Sequence, residues 1–186
     1  MLHEQALKLA TGLASRKVID ENALDVYTYG FELILSALIN VIIMAIISIL
    51  FRRYYDWLLF LAAFIPLRMT AGGYHAKTHL MCIVVGTVSF SFFLTICRLQ
   101  IPWTVIIVIA VTSFLSILLF APVEAYNKKL KEKQRRKNRS ISFCMSIANL
   151  LIAIVLSSIV FSDFVSIYYS GVFAAALSML VGKIKK

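Results

Sequence analysis

The segment Arg68-Met-Thr-Ala-Gly-Gly-Tyr-His75-Ala-Lys-Thr-His79-Leu-Met-Cys82 holds the residues best suited to covalent chemistry. A thiol near an imidazole is the usual pair for acyl transfer. The thiolate attacks, and the imidazole removes and later returns a proton. Gly72-Gly73 permits positive φ and close backbone approach. Ionisable groups at the edge of an apolar span are costly, and such groups mark function.

Two histidines compete for the role of base. His75 and Cys82 are seven apart, so on one continuous helix they share a face but stand ~10.5 Å apart along the axis at ~1.5 Å per residue. That exceeds hydrogen-bond reach, so a base at His75 requires the chain to bend before Cys82. His79, three before Cys82, meets it on an unbroken helix, and spacing alone favours His79. A metal reading also stands: His75, His79 and Cys82 form H-x3-H-x2-C, and histidines at i, i+4 can ligate zinc. The metallopeptidase pattern needs a glutamate after the first histidine, whereas Ala76 follows His75 and no acidic residue lies between Arg68 and Cys82. No metal or cofactor is therefore expected. Cys97 and Cys144 lie in apolar runs, where a cysteine is usually a small hydrophobe. Three scattered cysteines make no disulfide framework.

The elements that must position this segment are membrane helices. Of 186 residues, 61% are hydrophobic, and the mean hydropathy is +0.88. Soluble domains sit near 45–50% apolar, so lipid is the solvent for much of the chain. Apolar runs appear at 31–51, 57–67, 80–96, 103–122, 141–161 and 164–181. At about 20 residues per crossing, this predicts an all-α polytopic membrane protein of about six transmembrane helices. The 57–67 run is short for a span unless Tyr54, Tyr55 and the stem of Arg68 extend it; a re-entrant piece reads the same way. Leu2, Ala6, Leu9, Leu13 and Ala14 form one stripe, predicting an N-terminal amphipathic helix that lies on the membrane or packs on a partner. The expectation is one membrane domain, 1–186: an interfacial head over 1–27, a bundle over 31–181 and a basic loop over 124–140. No cleavable signal peptide is expected, since 1–27 lacks an apolar core.

The formal charge is +10, but the charge sits in loops between apolar runs, which argues against nucleic acid as a partner. With both termini cytosolic and six crossings, sixteen of the 19 Lys and Arg face the cytosol, leaving Arg52, Arg53 and Arg98 outside. This places the Arg68–His79 stretch at the cytosolic face. The 127–139 stretch reads as a solvated loop touching anionic lipid, with capture of an acidic substrate segment as a second reading. Tyr54, Tyr55, Trp57 and Trp103 read as interfacial anchors.

The block Arg68…Gly72-Gly73-Tyr-His75-Ala…Cys82, the Ala121-Pro122-Val123-Glu124 exit and the Asn127-Lys-Lys-Leu loop start resemble the AgrB family. These are membrane peptidases of Gram-positive quorum sensing, and the resemblance covers nearly the whole chain. It implies a thiol endopeptidase in the cell membrane of a Gram-positive bacterium. The enzyme would cut a short amphipathic autoinducer propeptide at the cytosolic face. It further implies Cys82 as nucleophile and His75 as base, with the acyl-enzyme captured by a thiol or hydroxyl of the peptide to give a thiolactone or lactone. An acyl-enzyme shielded from water favours ring closure over hydrolysis. Arg68 and Gly73 match family positions tied to activity, with Gly72 beside them, and a homodimer is implied. No third catalytic residue is evident: Ser89 lies seven after Cys82 on the same helical face, and Glu124 and Asp25 are near the same side. The rival reading is a non-catalytic peptide transporter or sensor. Transporters usually place polar groups at mid-membrane on broken helices, whereas these spans are mostly apolar inside, with Asn40 and Asn149 as exceptions.

Overall fold

A computed structural model describes residues 2–73, 78–99, 102–123, 132–157 and 162–184. It is all-α among these residues. The helices are α1 (Leu2–Ser15), α2 (Leu24–Leu50), α3 (Asp56–Ala71), α4 (His79–Ile96), α5 (Trp103–Phe120), α6 (Glu132–Ser157) and α7 (Ser162–Ile184). Short 3-10 turns at Glu21–Ala23 and Cys97–Leu99 introduce α2 and close α4. Four segments are long and apolar enough to cross a membrane: Glu21–Leu50, Leu80–Leu99, Trp103–Phe120 and Phe164–Ile184. The chain is a membrane protein.

Of the remaining three helices, α3 and α6 explain why their runs read as irregular. α3 is continuous over 16 residues, about 24 Å at 1.5 Å per residue. Asp56 and the Arg68 turn extend the short apolar run at both ends. α6 begins at Glu132, so residues 132–140 of the expected loop are helical. Lys, Arg and Glu are good helix formers, and Glu132 pairs with Arg136 one turn on at 2.9 Å. Similarly, Leu24 to Tyr27 belong to α2 rather than to the head.

The core lies along α3 and α7. Of the most apolar window of α7, 61% is buried, against 17% for those of α2 and α4. Lipid would replace protein around α2 and α4, so their exposed Ile and Val need no internal partner. Small residues let α7 approach α3: a Cβ on Gly171 would stand 2.5 Å from the Phe60 carbonyl oxygen. Phe60 then meets Phe90 edge-on at 5.2 Å and stacks on Phe64 at 5.7 Å, which ties α4 to the pair. On the other side Tyr168 donates to Asn149 Oδ1 at 2.6 Å, and Tyr169 donates to the Asn149 carbonyl, fixing α6 on α7.

α1 folds back along the first half of α2, and His3 Nδ1 meets Glu32 Oε1 at 2.6 Å. Its contact line is Ala6 and Ala10, both fully buried, while Leu9 is exposed. Of the predicted stripe only Ala6 is fully buried, and Ala10, which lay outside it, joins it at the contact, where short side chains let the two helices approach.

Candidate active site at the α3–α4 turn

α3 carries Arg68 in its last turn and stops at Gly72, whose φ of 77° suits a glycine. Gly72 does a second thing. It forms a single backbone bridge with Val123, just after the cis Ala121–Pro122 bond that ends α5. The Val123 N–H donates to the Ala71 carbonyl at 2.8 Å. A Cβ on Gly72 would stand 2.0 Å from the Val123 oxygen, so this contact demands glycine. The α5 exit and the α3 exit are stitched together here. Beside them Lys183 of α7 lies 3.6 Å above the Phe120 ring.

Gly73 (φ 148°) serves a different neighbour. A Cβ there would lie 2.8 Å from Arg68 Nη1 and 2.9 Å from Ser178 Oγ. The guanidinium from α3 and a hydroxyl from α7 therefore converge over one bare Cα.

The chain is described again at Thr78, which caps α4. Thr78 is extended (φ −130°, ψ 150°), and its hydroxyl accepts the Met81 N–H at 3.3 Å. The Cys82 N–H donates to the Thr78 carbonyl at 3.1 Å. Cys82 thus stands in the first turn of α4, with its thiol exposed. That end of a helix is the positive end of its dipole.

Arg68, Gly72 and Gly73 therefore lie where α3 ends, and Cys82 lies where α4 begins. His75 lies outside the described residues, as does the side chain of His79; α4 itself starts at His79, so the helix does not run back to His75. The H-x3-H-x2-C set is not placed for the same reason. Glu124 is likewise outside, and Asp25 is exposed in the first turn of α2. Ser89 sits on α4 roughly 10 Å beyond Cys82 at its rise per residue, half-buried and apart from the Arg68 cluster. Ser178 is the residue that spacing did not find. It is distant in sequence from the motif, and its one signal is a hydroxyl amid Leu177, Met179, Leu180 and Val181.

The sequence profile of accessory gene regulator B matches residues 6–181. The chain belongs to this family. It is 26% identical over 190 residues to a putative AgrB-like protein of Clostridium perfringens strain SM101, covering 98% of this chain and 87% of the relative. A putative AgrB-like protein 2 of Clostridium perfringens strain 13 is 25% identical over 74% of this chain and 68% of its own. The accessory gene regulator protein B of Staphylococcus aureus strain JH9 is 20% identical over 93% of this chain and 91% of its own. No solved structure matches. The chain is thus a membrane protein of an accessory gene regulation family, that of quorum sensing.

Proposed function

We propose that this chain is a membrane cysteine endopeptidase that matures a short autoinducer propeptide. The observation that carries the reading is Cys82: an exposed thiol in the first turn of α4. The Cys82 thiolate attacks the carbonyl of the scissile bond, and the C–N bond breaks as His75 delivers a proton to the leaving amine. A thioester of the N-terminal fragment remains on Cys82. A thiol or hydroxyl of that fragment, deprotonated by the same base, then attacks the thioester, releasing Cys82 and closing a thiolactone or lactone. The basic residues around 127–139 and the Arg68–His79 stretch support a cytosolic face for this chemistry, in the cell membrane of a Gram-positive bacterium. A homodimer and lipid contacts belong to the same reading.

The test is mass spectrometry of the lipid-embedded protein mixed with a candidate propeptide and quenched at short times. Cys82 is expected to gain the mass of the N-terminal fragment less one water. Cys82→Ala should insert normally and cut at least about 10³-fold more slowly. Normal cutting by Cys82→Ala would overturn the mechanism. Sensitivity to chelators rather than to alkylation would favour the metal alternative on His75, His79 and Cys82.

A further inference from the structure

α4 carries Cys82, and among the described residues it packs principally along α2, touching α3 and α7 only lightly. Two polar contacts set how α2 and α4 lie. Well inside both helices, the Thr87 hydroxyl donates to Asn40 Oδ1 at 3.3 Å. At the end away from Cys82, Arg98 donates to the Phe51 carbonyl at 2.8 Å. Each contact joins residues 47 apart, so the two helices run parallel and keep one register over that length.

Asn40 also meets bare backbone. Its amide packs against the Cα of Gly86, with Cγ and Oδ1 each 3.2 Å from where a Cβ would stand. Glycine and amide therefore fit at one height of α4 against α2. Gly86 is four residues from Cys82, about 6 Å at 1.5 Å per residue. The helix between them is unbroken, so whatever fixes Gly86 along the axis also fixes the Cys82 backbone. The rest of the interface is apolar: Met44 of α2 packs in one cluster with Phe90 and Leu94 of α4. Such side chains favour contact without choosing between heights one turn apart. An amide between helices does choose, because a slip in lipid takes it from its partner. A single Asn in an apolar seam is the best-attested device for fixing register. Asn149, the other amide within the spans, joins α6 to α7, whereas acyl transfer gives Asn40 no part.

We propose that Asn40 is a positioning residue: packed on Gly86 and bonded to Thr87, it sets the height of α4 on α2 and thereby the place where the Cys82 thiol meets its peptide. The catalytic consequence rests on the reading of Cys82 as the nucleophile; the register does not. No bond or proton is exchanged through Asn40.

The height of the thiol can be read without a propeptide. A sulfonated maleimide stays in water, N-ethylmaleimide also enters lipid, and both add to a thiolate by forming an S–C bond. The experiment measures both rates at Cys82, resolved by peptide mass spectrometry, in the full chain in lipid nanodiscs. Their ratio cancels changes in thiol ionisation and reports how far the sulfur stands from the aqueous boundary. Asn40→Leu should change the wild-type ratio by at least about tenfold, since a slip of one turn is about 5.4 Å and a charged reagent is excluded from the apolar region. Thr87→Val, which keeps the shape and loses the hydroxyl, should move the ratio in the same direction. Adding it to Asn40→Leu should change nothing further, as for two ends of one contact. Thr87→Ser, which keeps the hydroxyl, should stay near wild type. With a propeptide that acylates wild type, Asn40→Leu should lower the maximal rate of acylation by about 10²-fold and leave KM little changed. A fall in Tm with the ratio unmoved would reduce Asn40 to packing and overturn the proposal. Should Asn40→Leu fail to insert, Thr87→Val decides alone, and a wild-type ratio there overturns it as well. If the ratio moves as expected while wild type forms no acyl-enzyme, the peptidase reading fails and the register role stands.

Discussion

Each end of the bundle carries a cysteine and an arginine, and the sulfur is buried at one end and exposed at the other. At the end formed by residues 51–56 and 97–99, Cys97 is fully buried. Its neighbour Arg98 donates to the Phe51 carbonyl at 2.8 Å and lies 4.6 Å over that ring. Arg53 meets the buried Asp56 at 2.6 Å. At the other end Cys82 is exposed, and Arg68 and Ser178 lie against Gly73. Arginine at one end closes a turn; at the other it packs against Gly73. The difference teaches that adjacency in sequence says little, and that exposure of the sulfur separates the two ends.

The comparison breaks most easily at Asp56. Its side chain is 2% exposed, against 18% for that of Arg53, and removing one partner of a buried pair strands the other. Asp56→Ala should cost about 3–5 kcal/mol, seen as a fall in Tm on the order of 10 °C. Cleavage per folded molecule should stay near wild type, because the 51–56 turn is far along α3 from Arg68. A Tm within two or so degrees of wild type would show that the outer pair is not a structural lock.

The glycines sharpen the comparison within the site itself. Gly72→Ala drives a Cβ into the Val123 backbone oxygen at a φ of 77°, and neither can move freely. It should destabilise by more than about 2 kcal/mol. Gly73→Ala meets the far ends of two side chains instead. These can swing away, so stability should fall by only about 1 kcal/mol. Cleavage should fall by about 10²-fold, the cost of misplacing a group by roughly an ångström. Thermal unfolding and turnover measured on both variants would separate them. Equal losses of stability would mean that Gly73 is only a second turn residue.

Much of this was legible in the sequence because lipid imposes simple rules. Apolar run length announced the helices, and the paired glycines announced the break after α3. The Arg68–Cys82 stretch stood out because ionisable groups are scarce in such a chain, and the resemblance singled out Arg68 and Gly73 within it. What stayed hidden depends on which helices touch. Nothing in the spacing says that the Val123 backbone must reach Gly72, or that Ser178 shares a neighbour with Arg68. The charged stretch misled in a different way: residues 132–140 look like a solvated loop by polarity, yet lie on good helix formers that extend α6 beyond its apolar part. The expected stripe of α1 failed at Leu9 because periodicity reports a face and not which residues on it are short enough for contact.

That extension of α6 supplies the smallest prediction. Arg136 and Glu132 meet at 2.9 Å, a distance close to the 2.6 Å of Arg53 and Asp56. Judged by distance alone, the two pairs are equivalent. Their exposures are not: the side chains of Arg136 and Glu132 are 82% and 80% exposed. Water and salt screen such a pair, and ordering two long side chains offsets what remains. Glu132→Ala should leave Tm unchanged within measurement, in contrast to Asp56→Ala, while both alter one residue of an Arg–carboxylate contact. Were Glu132→Ala to lower Tm as Asp56→Ala does, the basic turns of α6 would be held against something other than solvent. The division into a structural end and a reactive end would then have to include them.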